Sequence, residues 1–186
     1  MDGCSVFQKK YPKTVLHLKE LPYEQHLDGI RQGKIDLTVI AKPKDSYLNE
    51  LVYNELCEDT CAFGVNGESV LARKDKIRRQ DLNGTKVLCG TYQYMEASFE
   101  EMLKGSGANL QALHTEYNLE SMAQAKFNDS VLVFHSHWKN CYSHILKVLP
   151  SDIRAGSIGV VMREEDRERM KNLITELRKA MGTQIC

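Results

Sequence analysis

Hydrophobic and polar positions change period several times along the chain, and each change marks an element. Residues 5–11 read as the end of a helix that Pro12 closes. Residues 14–20 (TVLHLKE) alternate with period two, which predicts a strand. Pro22 can open a helix at its first turn, Leu27 and Ile30 give that helix an apolar stripe, and Gly33 stands where a left-handed cap is expected. Residues 34–41 (KIDLTVIA) form a near-continuous apolar run, the pattern of a buried parallel strand. Together these predict a right-handed strand, helix, strand unit.

After a loop at Pro43, Asp45 and Ser46, residues 48–65 carry enough β-branched, aromatic and Cys positions for one or two strands. A short helical turn within residues 76–84 ends on Asn83-Gly84, a strong turn signal. Residues 86–90 (KVLCG) predict a short buried strand, and Phe99, Met102 and Leu103 a helix ending at Gly105. Residues 110–117 read as extended. Asn118 is placed to cap a helix whose stripe is Leu119, Met122, Ala123 and Phe127. Residues 130–134 (SVLVF) and 157–162 (SIGVVM) predict two more buried strands, with a turn of helix near 142–146 between them. The last helix carries Met170, Leu173, Ile174, Leu177 and Met181 on one face. Alternating strands and helices predict an α/β fold with mostly parallel sheets.

Composition narrows the function classes. The 186 residues hold 25 basic and 25 acidic side chains, so net charge is zero. Strong nucleic-acid binding rests on many phosphate contacts, so this chain alone is not expected to hold DNA tightly. No apolar run approaches the roughly 20 residues of a bilayer span, and the start, MDGCSVFQKKYP, lacks a secretory apolar stretch. Six cysteines without a signal sequence read as reduced thiols of a cytoplasmic protein. Cys57 and Cys61 fall on one strand face as small apolar fillers, and no cysteine pair has the two-residue spacing of a zinc or redox motif.

The segments FQKKYPKTVLHLKE and HLDGIRQGKIDLTVI resemble the opening of the effector-binding domain of LysR-type transcriptional regulators, with Phe7, Tyr11, Pro12, Glu20, Leu27, Gly33, Ile35 and Asp36 in register. LNELVYNELCEDTCAFGV, DLNGTKVL and GVVMRE resemble that family's strand pair, its Asp-Leu-x-Gly segment and its closing strand, so the likeness runs from about Phe7 to Met181. It implies a periplasmic-binding-protein-like fold (type 2), with two α/β lobes joined by two crossover strands. Lobe I would hold residues 1–41 and 157–186, and lobe II residues 42–156. Against the family pattern the first strand and the DNA-binding helix-turn-helix are missing, and FNDSVLVFHSHWKN lacks the family's Gly-rich approach.

The resemblance implies an effector in the cleft between the lobes, a homo-oligomer in the full-length protein, and DNA contact only through the missing N-terminal domain. Ligands of open α/β sheets bind beyond the carboxyl ends of strands, and helix N-terminal amides favour anions, so the expected effector bears a carboxylate. Leu21, Pro22 and Tyr23 follow a strand and open a helix; they are either cleft-facing or ordinary linkage. Gly90, Thr91, Tyr92 and Tyr94 offer amides, a hydroxyl and aromatic walls, or form a plain capping turn. Ala41 stands at a crossing point, and Phe134 and His135 end a strand, His135 as a hydrogen-bonding group. Glu20 is expected to be a structural carboxylate held by amides.

His135, His137, Cys141 and His144 contain metal-ligand chemistry, but their spacing matches no zinc template, and the expectation is no metal and no cofactor. No Gly-x-Ser-x-Gly elbow, phosphate-cradling loop or dinucleotide fingerprint is present, so an enzyme is not expected. The rival readings are a transporter's solute-binding protein with the same fold, a metal-dependent enzyme built on the histidine cluster, and a bare interaction module with no ligand.

Overall fold

The computed structural model describes residues 2–22, 24–90, 96–113 and 117–182. By its internal contacts the chain divides into two compact units: unit 1 is Met1–Glu58 with Ser157–Cys186, and unit 2 is Asp59–Gly156. Two long strands, β2 (Leu51–Val65) and β6 (Lys147–Arg163), are hydrogen-bonded neighbours, and each crosses the boundary. Gly156, the last residue of unit 2 on β6, has φ +87°, a conformation that L side chains rarely adopt.

Unit 1 contains α1 (Asp2–Lys10), α2 (Glu24–Arg31), β1 (Leu37–Ala41), the short α3 (Asp45–Leu48) and α7 (Arg167–Gly182), with one end each of β2 and β6. α2 stops where the sequence predicts. Gly33 takes φ +66°, and the Gly33 and Lys34 amides donate to the Ile30 and Gly29 carbonyls at 2.9 and 2.8 Å, a Schellman closure. Its apolar face, Leu27 and Ile30, packs with Ile40, Leu51 and Val161. α7 buries Leu173, Ile174 and Leu177 as its stripe requires and lies so close to α1 that a Cβ on Gly3 would stand 3.0 Å from Leu177 Cα. Glu176, buried on the same face, is paired with Lys10 at 3.0 Å.

Unit 2 is built on four strands in the order β2, β5 (Val131–His135), β3 (Lys86–Cys89), β4 (Asn109–Ala112). Both faces are covered, so both sets of alternating side chains are apolar. Cys61, Phe63, Val87, Cys89, Val131 and Val133 face a cluster with Phe99 and Leu103 of α4 (Glu96–Leu103). Ala62, Leu88, Leu132 and Phe134 face the other, with Met122 and Ala125 of α5 (Leu119–Phe127). Asn118 caps α5: its Oδ1 accepts from the Ser121 amide at 3.0 Å, and Ser121 Oγ accepts from the Asn118 amide at 2.9 Å.

Several expectations are corrected. The sheet is mixed: β3 runs parallel to β4 and β5, but β1 pairs antiparallel with β6 and β2 antiparallel with β5. Residues 14–20 form no strand. Val15 and Leu18 are 70 and 69 % exposed, so no neighbour buries the alternating face, and Gln8 holds the segment by accepting from the Leu16 amide and donating to the Thr14 carbonyl. The expected α5 stripe is out of phase: Leu119 and Phe127 are exposed. The helical turn expected at 142–146 is α6 (Lys139–Tyr142) instead. β6 begins ten residues before the predicted strand, its half from Lys147 alternating buried Leu149, Ser151, Ile153 and Ala155 with exposed Pro150, Asp152 and Arg154.

Candidate functional site

In unit 2 the parallel strands β3 and β5 are adjacent and run out at Gly90 and His135, the end of an α/β sheet where loops converge. Gly90 is buried, and its amide donates to Tyr117 Oη at 2.9 Å, while that hydroxyl donates to the Val133 carbonyl at 2.5 Å. A Cβ on residue 90 would come within 3.1 Å of the Tyr117 ring, so glycine is what admits the phenol across both strand ends. Phe134 packs in the apolar cluster with Ala62, Leu88 and Leu146. Thr91, Tyr92 and Tyr94 lie outside the described residues.

His135 belongs to a polar cluster around Asp59, whose side chain is 0 % exposed. Asp59 stands on β2 two residues from Cys61, the cross-strand partner of His135, so the carboxylate meets the segment that leaves β5. His135 Nδ1 donates to Oδ2 at 2.9 Å. Oδ1 accepts from His137 Nδ1 at 2.8 Å, the Thr60 amide at 2.9 Å and the Ser136 hydroxyl. Burial alone would oppose ionisation, but the bonds from His135, His137 and Ser136 outweigh it and hold the carboxyl well below the usual carboxylate range. Both imidazoles therefore carry a proton on Nδ1, toward the carboxylate, and for His135 this turns Nε2 away from Asp59. The His135 ring is wedged by Trp138, edge-on at 5.4 Å, and Phe99 at 5.8 Å.

This is not a hydrolytic constellation. Ser136 Oγ is bonded to the carboxylate, whereas an activated nucleophile must face the imidazole. Among the described residues no group of three or more His, Cys, Asp or Glu is arranged to hold a metal ion. His144 is exposed, and the Cys141 side chain lies outside the described residues. The Cys61 thiol is pushed up to about 12, first by burial and then by the Asp59 charge.

In unit 1, Leu21 is half-buried and Pro22 exposed, while Tyr23 lies outside the described residues. The Leu21 carbonyl accepts from His26 Nε2 at 2.9 Å, and His26 Nδ1 lies 2.8 Å from Thr38 Oγ1. A carbonyl only accepts, so Nε2 carries the proton and, on the neutral ring, the Thr38 hydroxyl donates to Nδ1. Ala41 ends β1 opposite Ile158, and the next amide, Lys42, donates to the Ser157 carbonyl at 2.9 Å. Tyr53 and Ser157 share a hydroxyl hydrogen bond at 3.0 Å, and burial pushes the Tyr53 phenol up to about 12. Glu20 is exposed with no side-chain bond among the described residues, which corrects its expected amide-held role. Sequence reasoning missed Asp59, Ser136, Tyr117 and His26. Asp59 alone left a signal, as one of two adjacent acidic residues, Glu58 and Asp59, that precede the apolar CAFGV run.

Similarity to known proteins agrees with this architecture. The reduced regulatory domain of OxyR from Pseudomonas aeruginosa superposes with a TM-score of 0.72 at 16 % identity, covering 96 % of this chain and 89 % of that one. HinK, a LysR family transcriptional regulator from the same organism, gives a TM-score of 0.76 at 12 % identity over 98 % of this chain and 65 % of its own. A hydrogen-peroxide-bound cysteine variant of Corynebacterium glutamicum OxyR gives 0.77 at 15 % identity, over 98 % of this chain and 60 % of its own. At such identities these likenesses establish the fold alone. No curated protein matches the chain in sequence. The family model for the LysR substrate binding domain matches residues 4–182, nearly the whole chain. The chain belongs to the LysR substrate binding domain family, the effector-sensing part of LysR-type transcriptional regulators.

Proposed function

We propose that the sensed effector is a small carboxylate-bearing metabolite that binds unit 2 where β3 and β5 end. The observation that carries this reading is the pair of adjacent parallel strand ends at Gly90 and His135, with His135 fixed in one tautomer by a buried carboxylate. The sequence between β3 and α4 holds Thr91, Tyr92 and Tyr94, residue types that bring a hydroxyl and aromatic rings to a small-molecule site. The amides that open a helix favour an anion there. His135 contributes an oriented Nε2, and the Asp59 network keeps that orientation without ligand.

In this reading the domain works in a cytoplasmic homo-oligomer, and DNA contact belongs to a helix-turn-helix outside the matched domain. The family match favours this over a transporter's solute-binding protein. Effector binding changes the regulator only by its differential affinity for two states of the protein. A thermal-shift screen of small aliphatic and aromatic carboxylates tests it: at least one acid is expected to raise the melting temperature, and T91A with Y92A is expected to abolish the rise. Silence across the panel, or a rise that survives the double substitution, contradicts the proposal.

A further inference from the structure

The opposite end of the unit 2 strands carries a concavity. Because β3 and β5 are parallel and β2 is antiparallel to β5, the starts of β3 and β5 meet the finish of β2 at the pole away from Gly90 and His135. The chain there surrounds a cavity of about 450 Å³, within the roughly 300–1,000 Å³ of small-molecule sites. Its wall is apolar at Val70 and Leu71 and polar at Thr85, Lys86 and Asp129.

The rim is built from anchored turns. Gly84 and Asp129 both hold left-handed backbone, φ +71° and +46°. The Gly84 amide donates to the Gly107 carbonyl at 2.9 Å, and the Ser130 amide to the Ala125 carbonyl at 3.0 Å. Ser130 Oγ, on a residue only 2 % exposed, donates to the Asn128 carbonyl at 3.2 Å and ties that turn again. These bonds fix the backbone on two sides of the cavity, so binding need not first order a loop.

One ammonium and one carboxylate line this space, Lys86 and Asp129, and among the described residues neither is ion-paired with the other or with any other group. A simple anion drawn to Lys86 meets the charge of Asp129, and a simple cation drawn to Asp129 meets Lys86. A molecule carrying both charges satisfies both, and a short apolar branch suits the wall at Val70 and Leu71. We propose that this cavity is a site for a zwitterion of the α-amino-acid class with a small branched apolar side chain, its carboxylate on Lys86 and its ammonium on Asp129. It lies at the other end of the strands from the proposed effector site, so each reading can fail without the other.

Backbone NMR titration of the whole chain with L-valine, isovalerate (no ammonium) and isobutylamine (no carboxylate) tests it. L-valine is expected to shift the amides of Thr85, Lys86 and Asp129–Val131 saturably, with a dissociation constant on the order of 1 mM. Each analogue is expected to bind weaker by about tenfold, and K86M and D129N are each expected to bring L-valine down to the analogue's level. K86Q serves as the second variant should K86M alter the fold, and unchanged Gly90 and His135 amides in all variants verify that unit 2 is intact. The proposal is overturned by equal binding of valine and isovalerate, by variants that bind as the parent does, by shifts at Gly90 and His135 instead, or by no saturable binding.

Discussion

A carboxylate with no exposed surface survives inside unit 2 because four donors converge on it: two imidazole Nδ1–H groups, the Ser136 hydroxyl and the Thr60 amide. Its carboxyl ionises more readily folded than unfolded, so its contribution to stability is complete above the unfolded value near 3.8 and drains away as pH falls through the lower folded value. Asp59→Asn is expected to cost about 1–3 kcal/mol at neutral pH and to flatten the loss of urea resistance below about pH 4; an acid slope equal to the parent's would show that Asp59 does not set it. Cys61 behaves oppositely. Buried beside that negative charge, its thiol stays protonated at neutral pH, and the thiolate is the reactive form. Iodoacetamide should therefore leave Cys61 unlabelled in the native protein and label it after denaturation, as mass spectrometry of the peptide would read; native labelling would contradict the burial. His135 was legible in the sequence because it directly ends an apolar strand. The partners that fix it were not, because Asp59 lies 76 positions away and only strand pairing brings the two together.

At the scale of elements, local patterns were legible where one turn of backbone decides the outcome. The Gly33 closure of α2, the Asn118 cap of α5 and the apolar face of α7 all appear where sequence places them. Patterns that depend on a neighbour were not. Residues 14–20 alternate like a strand yet leave Val15 and Leu18 exposed, because a strand exists only when a ladder and a covered face are supplied. The beginning of β6 is a strand despite Pro150, because every second residue is buried and the Pro150 carbonyl still accepts from the Ile77 amide at 2.9 Å. Hydrogen exchange separates the two cases: amides of residues 17–20 are expected to exchange at nearly unprotected rates, and those of Val160 and Val161 slowly. Comparable protection in both would mean that residues 14–20 are paired in solution. Gly159 gives a sharper check on β6, since a Cβ there would stand 2.5 Å from the Asn54 carbonyl oxygen and 2.4 Å from the Tyr53 ring. Gly159→Ala is expected to destabilise the protein by about 1–3 kcal/mol in denaturant titration, and a neutral result would refute that packing.

For the whole molecule, the family is legible because its signature is distributed: an ordered series of short motifs along nearly the full chain, each tied to an element that has to recur for the fold to close. The mixed strand directions were not legible, since parallel and antiparallel buried strands share one apolar pattern. Two strands alone, β2 and β6, carry the chain between its units, and Gly156 supplies a left-handed residue at one passage. A ligand that binds only the folded state stabilises it by about 2.7 kcal/mol at a hundredfold excess over its dissociation constant. For a chain of this size that corresponds to a rise in melting temperature of about 5–10 °C, well within reach of a screen. The decisive measurement is amide chemical-shift mapping with the carboxylate that gives the largest rise. The account predicts saturable shifts at Cys89, Gly90 and His135–Trp138, with Thr85, Lys86 and Asp129 unmoved. Shifts confined to other parts of the chain, with Gly90 and His135 silent at saturation, would contradict it.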